Sequence, residues 1–244
     1  EGSGHGNGAE VPFGCFQTLG DLWIDNGQKE PYENYHRELD LDDAIVRISY
    51  TQNGVNYKRE IFTSYPDQIM VVRFTADKPG QISFNATMDR PENFKTYSED
   101  GQLIMSGALP NGKGQDGLQY MARLKGANKK GALQYVGDRL VVENADEVIL
   151  YLSASTDYVL DPPNYKGRDY KNITEANINK ALAKSFNQLL ADHTQEYQNY
   201  FKRVSFDITP EPITPIPTGT RLANYKETKN DTHLEELMFQ YGRY

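Results

Sequence analysis

The sequence predicts a mainly β protein: an antiparallel β-sandwich, then a long helix, then a linker into a helical domain of which only the first helix is present. Three observations carry this. Residues 19–155 alternate with period two, turn dipeptides punctuate them without helices of crossover length, and the pattern changes to helical spacing after Pro162-Pro163. A Gly-rich, irregular lead-in occupies residues 1–18. The clearest strand covers residues 81–88, with Ile82, Phe84, Ala86 and Met88 on one face and polar residues on the other. Val46, Ile48 and Tyr50 repeat the alternation, as do Leu118, Tyr120, Ala122 and Leu124. Residues 69–74 and 148–152 are apolar on both faces, which predicts central strands covered on two sides. Asn53-Gly54 supplies the positive φ of a tight hairpin, and Pro79-Gly80, Asp100-Gly101 and Gly137-Asp138 separate later strand pairs.

From Thr174, as cap, the spacing of Ile178, Ala181, Leu182, Phe186, Leu189, His193, Tyr197 and Phe201 predicts one amphipathic helix over 174–201, lying on a sheet or on a neighbouring domain. A short strand over 203–208 closes the β domain, which spans 19–208. Pro210, Pro212, Pro215 and Pro217 mark 209–231 as an extended linker. Leu234, Leu237 and Met238 then open a helix over 232–244, read as the start of a domain continuing past Tyr244.

Composition narrows the function classes. With 26 Lys plus Arg against 34 Asp plus Glu, the chain carries a net charge of −8, which argues against nucleic acid as a partner. The longest apolar run, 148–152, falls far short of the roughly 20 residues needed to span a bilayer. A single cysteine, Cys15, excludes an internal disulfide framework and a multi-cysteine zinc site. His5, His36, His193 and His233 lack metal-site spacing, and the Asp40-Leu41-Asp42-Asp43 run has Ile45 where a calcium loop needs glycine. No metal or other cofactor is therefore expected. The glycines of residues 2–8 lack the lysine of a phosphate loop, and no Gly-x-Ser-x-Gly elbow occurs. Residue chemistry alone identifies no active site. What stands out is 17 Tyr and 10 Phe against one Trp, a bias that suits strand surfaces and also sugar stacking.

Several blocks, in order along the chain, resemble the N-terminal domain of glycoside hydrolase family 95, the α-L-fucosidases. Phe16-Gln17-Thr18-Leu19-Gly20-Asp21-Leu22 is similar to its aromatic-Gln-Pro-Leu-Gly-Asp-Leu strand, with Thr18 in place of the usual proline. Tyr35-His36-Arg37-Glu38-Leu39-Asp40-Leu41 with Ala44, Tyr57-Lys58-Arg59-Glu60-Ile61-Phe62, Pro66-Asp67-Gln68 and Leu150-Tyr151-Leu152 continue the likeness. His193, Tyr197, Phe201 and Phe239-Gln240-Tyr241-Gly242-Arg243-Tyr244 complete it. The resemblance implies a supersandwich fold and, in the parent protein, inverting hydrolysis of α-linked L-fucose by an (α/α)-barrel beyond Tyr244. On that reading this chain holds no catalytic residue and is inactive alone. Its partners are the catalytic barrel and a fucosylated glycan, in a periplasmic or extracellular location. A free-standing carbohydrate-binding module, or the same domain from an enzyme of another α-linked sugar such as a galactoside, remain as alternatives. The longest polar breaks between strands, 91–97, 108–117 and 156–170, nominate Tyr97, Asn111, Asp116, Tyr158 and Tyr165 as carbohydrate contacts.

Overall fold

The structure is a computed structural model that describes residues 17–111, 115–208 and 216–244. Cys15, Pro210, Pro212, Pro215 and all but the last two residues of the expected lead-in lie outside the described residues. The strands are β1 (Asp21–Asp25), β2 (Glu33–Asp40), β3 (Ile45–Gln52), β4 (Val55–Ser64), β5 (Ile69–Ala76) and β6 (Ile82–Asp89). They continue as β7 (Lys95–Glu99), β8 (Gln102–Pro110), β9 (Asp116–Lys129), β10 (Ala132–Val136), β11 (Arg139–Ala145) and β12 (Glu147–Thr156). Four helices follow: α1 (Tyr170–Leu182), α2 (Phe186–Phe201), α3 (Thr218–Thr228) and α4 (Thr232–Arg243).

The strands form two sheets with every pair antiparallel, as the hairpin signals predict. One has four strands in the order β1-β6-β11-β10; the other has eight, β2-β3-β4-β5-β12-β9-β8-β7. Asn53 and Gly54 sit at φ 52° and 69°, and Asp100 and Gly101 at 49° and 64°, the doubly left-handed geometry of a two-residue hairpin. Pro79-Gly80 differs from expectation: it joins no hairpin but carries the chain from β5 in one sheet to β6 in the other.

Between the sheets lies the main core. Ile82, Phe84, Ala86 and Met88 of β6, the alternating set read from sequence, pack with Phe74, Leu103, Leu124, Leu140 and Leu150. A second core covers the outer face of the large sheet. There Ile45, Phe62, Ile69, Val71 and Tyr151 meet Ile178 and Ala181 of α1 and Phe186 and Leu189 of α2. β5 and β12 stand at the centre of the eight-stranded sheet and are buried on both faces, as their unbroken apolar runs predict.

The helical region departs from the sequence reading in three places. The single helix expected over 174–201 is two helices, broken at residues 183–185. Asp169 caps α1 by accepting from the Asn172 amide, and Ser185 caps α2 by accepting from the Gln188 amide. Thr174 is no cap; it is buried inside α1, where its hydroxyl donates to the carbonyls of Tyr170 and Lys171. The break lets α1 run over β12 and β9 while α2 crosses to β4. The strand expected over 203–208 is absent; there the Val204 carbonyl accepts from Arg243 of α4 at 2.8 Å and the Phe206 carbonyl from Gln240 at 3.5 Å. Finally, α3 occupies much of the stretch expected to be an extended linker. Its Arg221 forks onto both oxygens of Asp231, the N-cap of α4, tying α3 to α4.

A charge pin holds the helix break to the sheet. Asp67, in the turn between β4 and β5, has a side chain with 0 % exposure that accepts from the Ser64 hydroxyl at 2.9 Å and from Lys184 Nζ at 2.7 Å. Lys184 simultaneously reaches Asp192 Oδ2 at 2.7 Å. Two outcomes are expected in urea unfolding. Leu189→Ala, which hollows the helix–sheet core, lowers stability by about 3 kcal/mol with an unchanged denaturant slope. Lys184→Met leaves a buried carboxylate without its nearest cation and costs about 2 kcal/mol, less than for a fully buried pair because the lysine still touches water.

Candidate functional site

Strand register brings the long loops together. In the eight-stranded sheet, the ends of β2, β4, β12 and β8 and the starts of β3, β5, β9 and β7 fall on the same side. The turns 41–44 and 65–68, the loops 91–94 and 157–169, and residues Asn111 and Gln115 therefore gather at one end of the sheet. All five residues nominated from sequence are at this end.

The loop 157–169 is anchored by Asp157. Its amide and side-chain Oδ1 pair with the carbonyl and amide of Gln119, at 3.0 and 2.9 Å. Its carbonyl accepts from the amides of Gly167 (2.9 Å) and Arg168 (3.1 Å). Lys166 Nζ donates to the Gly117 carbonyl at 2.6 Å, and the Tyr170 hydroxyl donates to Gln119 Oε1 at 2.8 Å. Within this frame Tyr158 and Tyr165 come into ring contact, their planes 6° apart. Tyr97, on β7, lies instead beside Tyr170; burial first, then the charges of Asp157 and Tyr97, push the Tyr170 hydroxyl above its ordinary pKa. Asn111 closes the neck of its loop, donating from its amide to the Gln115 carbonyl (3.0 Å) and accepting from the Gln115 amide (3.1 Å). Asp116 opens β9 opposite Pro110. The loop 91–94 approaches through Gly107: a Cβ there would sit 1.9 Å from the Asn93 carbonyl, which accepts from the Tyr120 hydroxyl at 2.7 Å.

At the β2 side of the same end is a cleft of about 620 Å³, missed by the sequence reading. Asp40 and Asp42 from the β2–β3 turn face Lys202, Arg221, His233 and Glu236 from the helical region across it. Burial pushes the Asp40 carboxyl up, but hydrogen bonds from Arg47 (2.8 Å) and from the Asp42 and Asp43 amides outweigh it and leave the group below its ordinary pKa. Beside the cleft, Tyr197 donates to the Leu41 carbonyl at 2.7 Å, and burial foremost, with Tyr244 nearby, pushes its hydroxyl up to about 12. No short motif announces this cleft, because residues about 180 apart in sequence build it.

Chemically, the described residues offer hydrogen-bonding and stacking groups. Among the described residues, the carboxylates displaced from their ordinary pKa (Asp40, Asp77, Asp146, Asp192 and Asp231) are displaced downward, toward the anion. A general acid for glycoside hydrolysis requires the opposite. Among the described residues, no cluster of three or more His, Cys, Asp or Glu could hold a metal ion.

Comparison with known proteins adds the family context. The family model described as "Glycosyl hydrolase family 65, N-terminal domain" matches residues 2–161, and "Glycosyl hydrolase family 95 catalytic domain" matches residues 185–244. Alpha-L-fucosidase 2 of Arabidopsis thaliana is 32% identical over 267 residues, covering 96% of this chain and 31% of its own length. "Probable alpha-fucosidase A" of Aspergillus niger is 28% identical over 253 residues, with the same shares. The chain thus spans about a third of the length of these relatives. A solved structure described as "Putative kojibiose phosphorylase from human microbiome" superposes with a TM-score of 0.52 at 13% identity, covering 74% of this chain and 27% of the other, a likeness of fold.

The α3–α4 link has a definite acid limit. Hydrogen bonds from Arg221 first, and from the Leu234 amide, hold Asp231 at about 2 against an ordinary 3.8. A depressed carboxylate contributes stability that is complete above its unfolded pKa and lost as pH falls through the folded one. Protection of the Leu234 amide, measured against its intrinsic exchange rate at each pH, is therefore expected to hold above about pH 4 and to fall toward about pH 2, and Asp231→Asn should flatten that dependence.

Proposed function

Because the chain belongs to the glycosyl hydrolase family 65 N-terminal domain family and carries a family 95 catalytic-domain match behind it, we propose that it is the non-catalytic β domain of an α-L-fucosidase, joined to the opening of the catalytic domain. Its part in the reaction is support: inverting hydrolysis of α-linked L-fucose is performed by an acid and base carried on a further helical domain. The observation that supports this best is where the two matches meet the core. The family 95 match begins at residue 185, yet α2, which lies within it, buries Phe186 and Leu189 against Ile45 and Phe62 of the large sheet. The first helix of the catalytic match is part of the β domain's hydrophobic core.

The exposed apolar residues of α3 and α4 fit the same role. The sequence reading gave the α1–α2 stripe a choice between sheet and neighbouring domain; the sheet takes most of it. Leu222 of α3 and Met238, Phe239 and Tyr241 of α4 remain open to solvent, and an apolar surface of this kind marks an interface. On this reading, further helices of the catalytic domain pack there.

The test compares three polypeptides on 4-nitrophenyl α-L-fucoside and its α-galactoside counterpart: this chain, a catalytic domain starting at residue 216, and the joined protein. Only the joined protein is expected to hydrolyse the fucoside, with the isolated catalytic part unfolded or strongly destabilised. Hydrolysis by this chain alone overturns the non-catalytic role. A stable, fully active catalytic part overturns the support, and galactoside cleavage in place of fucoside cleavage overturns the sugar.

A further inference from the structure

Tyr158 and Tyr165 leave 44% and 43% of their surfaces in water, with ring centroids 6.3 Å apart and planes parallel within 6°. Single exposed aromatics are ordinary; two aligned rings on one irregular loop are not. The backbone holds this alignment. Tyr165 sits at φ 52°, a left-handed conformation that a bulky aromatic residue seldom adopts. Its amide donates to the Asp161 carbonyl at 3.0 Å, its carbonyl accepts from the Val159 amide at 3.2 Å, and an isolated antiparallel bridge joins Tyr158 to Lys166. Below, the contacts of Asp157 and Lys166 fasten the loop to the start of β9.

We propose that this pair is a sugar-stacking platform: a binding site for a pyranose ring of a neutral oligosaccharide, separate from the bond being cleaved. The choice of a sugar as ligand rests on the glycoside hydrolase reading above. A pyranose presents a face of C–H groups, weakly positive and apolar, that matches the negative face of an aromatic ring, while its hydroxyls remain free for water or polar side chains. Tyrosine suits this task because its own hydroxyl stays wet at the ring edge. Asn164 and Arg168, exposed on the same loop, are within the chain segment that could meet the sugar hydroxyls. The net charge of −8 favours a neutral glycan over a sulfated or uronic one. The backbone bonds of the loop and the contact between the two rings set their relative placement before any sugar arrives, which lowers the ordering cost on binding.

The probes are lactose and 2′-fucosyllactose, titrated into this chain and followed through the tyrosine ring resonances. Both sugars are expected to bind with Kd of about 1–10 mM, shifting Tyr158 and Tyr165. Tyr158→Ala and Tyr165→Ala each weaken binding at least about tenfold, and Tyr165→Phe retains it, because the ring and not the hydroxyl supplies the contact. Tyr32→Ala, which removes a ring 60% exposed at the opposite end of the large sheet, leaves binding unchanged. The platform is overturned if neither sugar binds at about 50 mM, if binding survives the double Tyr158→Ala, Tyr165→Ala change, or if the two rings are covered by protein in the joined enzyme. These outcomes are independent of hydrolysis. Failure of the joined protein to cleave fucosides would sink the fucosidase reading and leave the lactose binding intact, while loss of binding would sink the platform alone.

Discussion

An eight-stranded sheet whose central strands carry apolar side chains on both faces cannot stand in water, so it has to be covered twice. Val71 and Val72 on β5, and Leu150 and Tyr151 on β12, are neighbours in sequence that point to opposite sides of the sheet, and all four are buried. The four-stranded sheet covers one side with Phe84, Met88 and Leu140. Among the described residues, α1 and α2 cover the other. The helices are thus an obligatory layer of the fold. Asp67 adds direction to a contact that is otherwise greasy and non-directional, since a buried carboxylate must find its lysine and Lys184 lies at the only break between the two helices.

Much of this was legible because it is local. Alternation in β6 named its buried face correctly, and the double-faced runs of β5 and β12 named the centre of the sheet. Asn53-Gly54 and Asp100-Gly101 work as hairpins because each asks for positive φ from the residues that tolerate it best. Lys130-Gly131, at φ 55° and 64°, makes the same turn without the favoured first residue and carried a weaker signal. The helix break is a different kind of miss. Apolar spacing continues across residues 183–185, so periodicity alone reads one helix, yet Ser185 followed three residues later by Gln188 is the sequence signature of a new N-terminus. Proline density hid α3, which Arg221 ties to Asp231 ten residues on, a contact no local pattern encodes.

The sites divide in the same way. That Tyr158 and Tyr165 stand on a long polar loop could be read from the sequence; that their rings lie parallel depends on the left-handed Tyr165 and on Asp157 holding both ends of the loop. Loop composition nominates residues, and backbone geometry decides which of them meet. Tyr97 illustrates the other outcome, since the register of β7 against β8 sets it beside Tyr170.

Helix α2 connects the layers to the cleft. Its first half is core, with Phe186 edge-on to Phe62 and Leu189 fully buried. Further along, His193 stacks on Phe62, and its Nε2 lies 3.1 Å from both the Asp43 and the Ala44 carbonyls. Carbonyls only accept, so that nitrogen carries the hydrogen and shares it between them. One helical turn on, the Tyr197 hydroxyl donates to the Leu41 carbonyl, and Gln198 donates to the Asp42 carbonyl at 3.0 Å. Three side chains of α2, His193, Tyr197 and Gln198, therefore donate to the four carbonyls of the turn 41–44. The same turn supplies Asp40 and Asp42 to the cleft wall facing Arg221 and His233. A displacement of α2 on the sheet would carry the turn with it, and with the turn one wall of the cleft. A boundary drawn at residue 185 by sequence similarity cuts through a physical unit, because the side chains that make α2 part of the β core and those that shape the cleft lie on the same sixteen-residue helix.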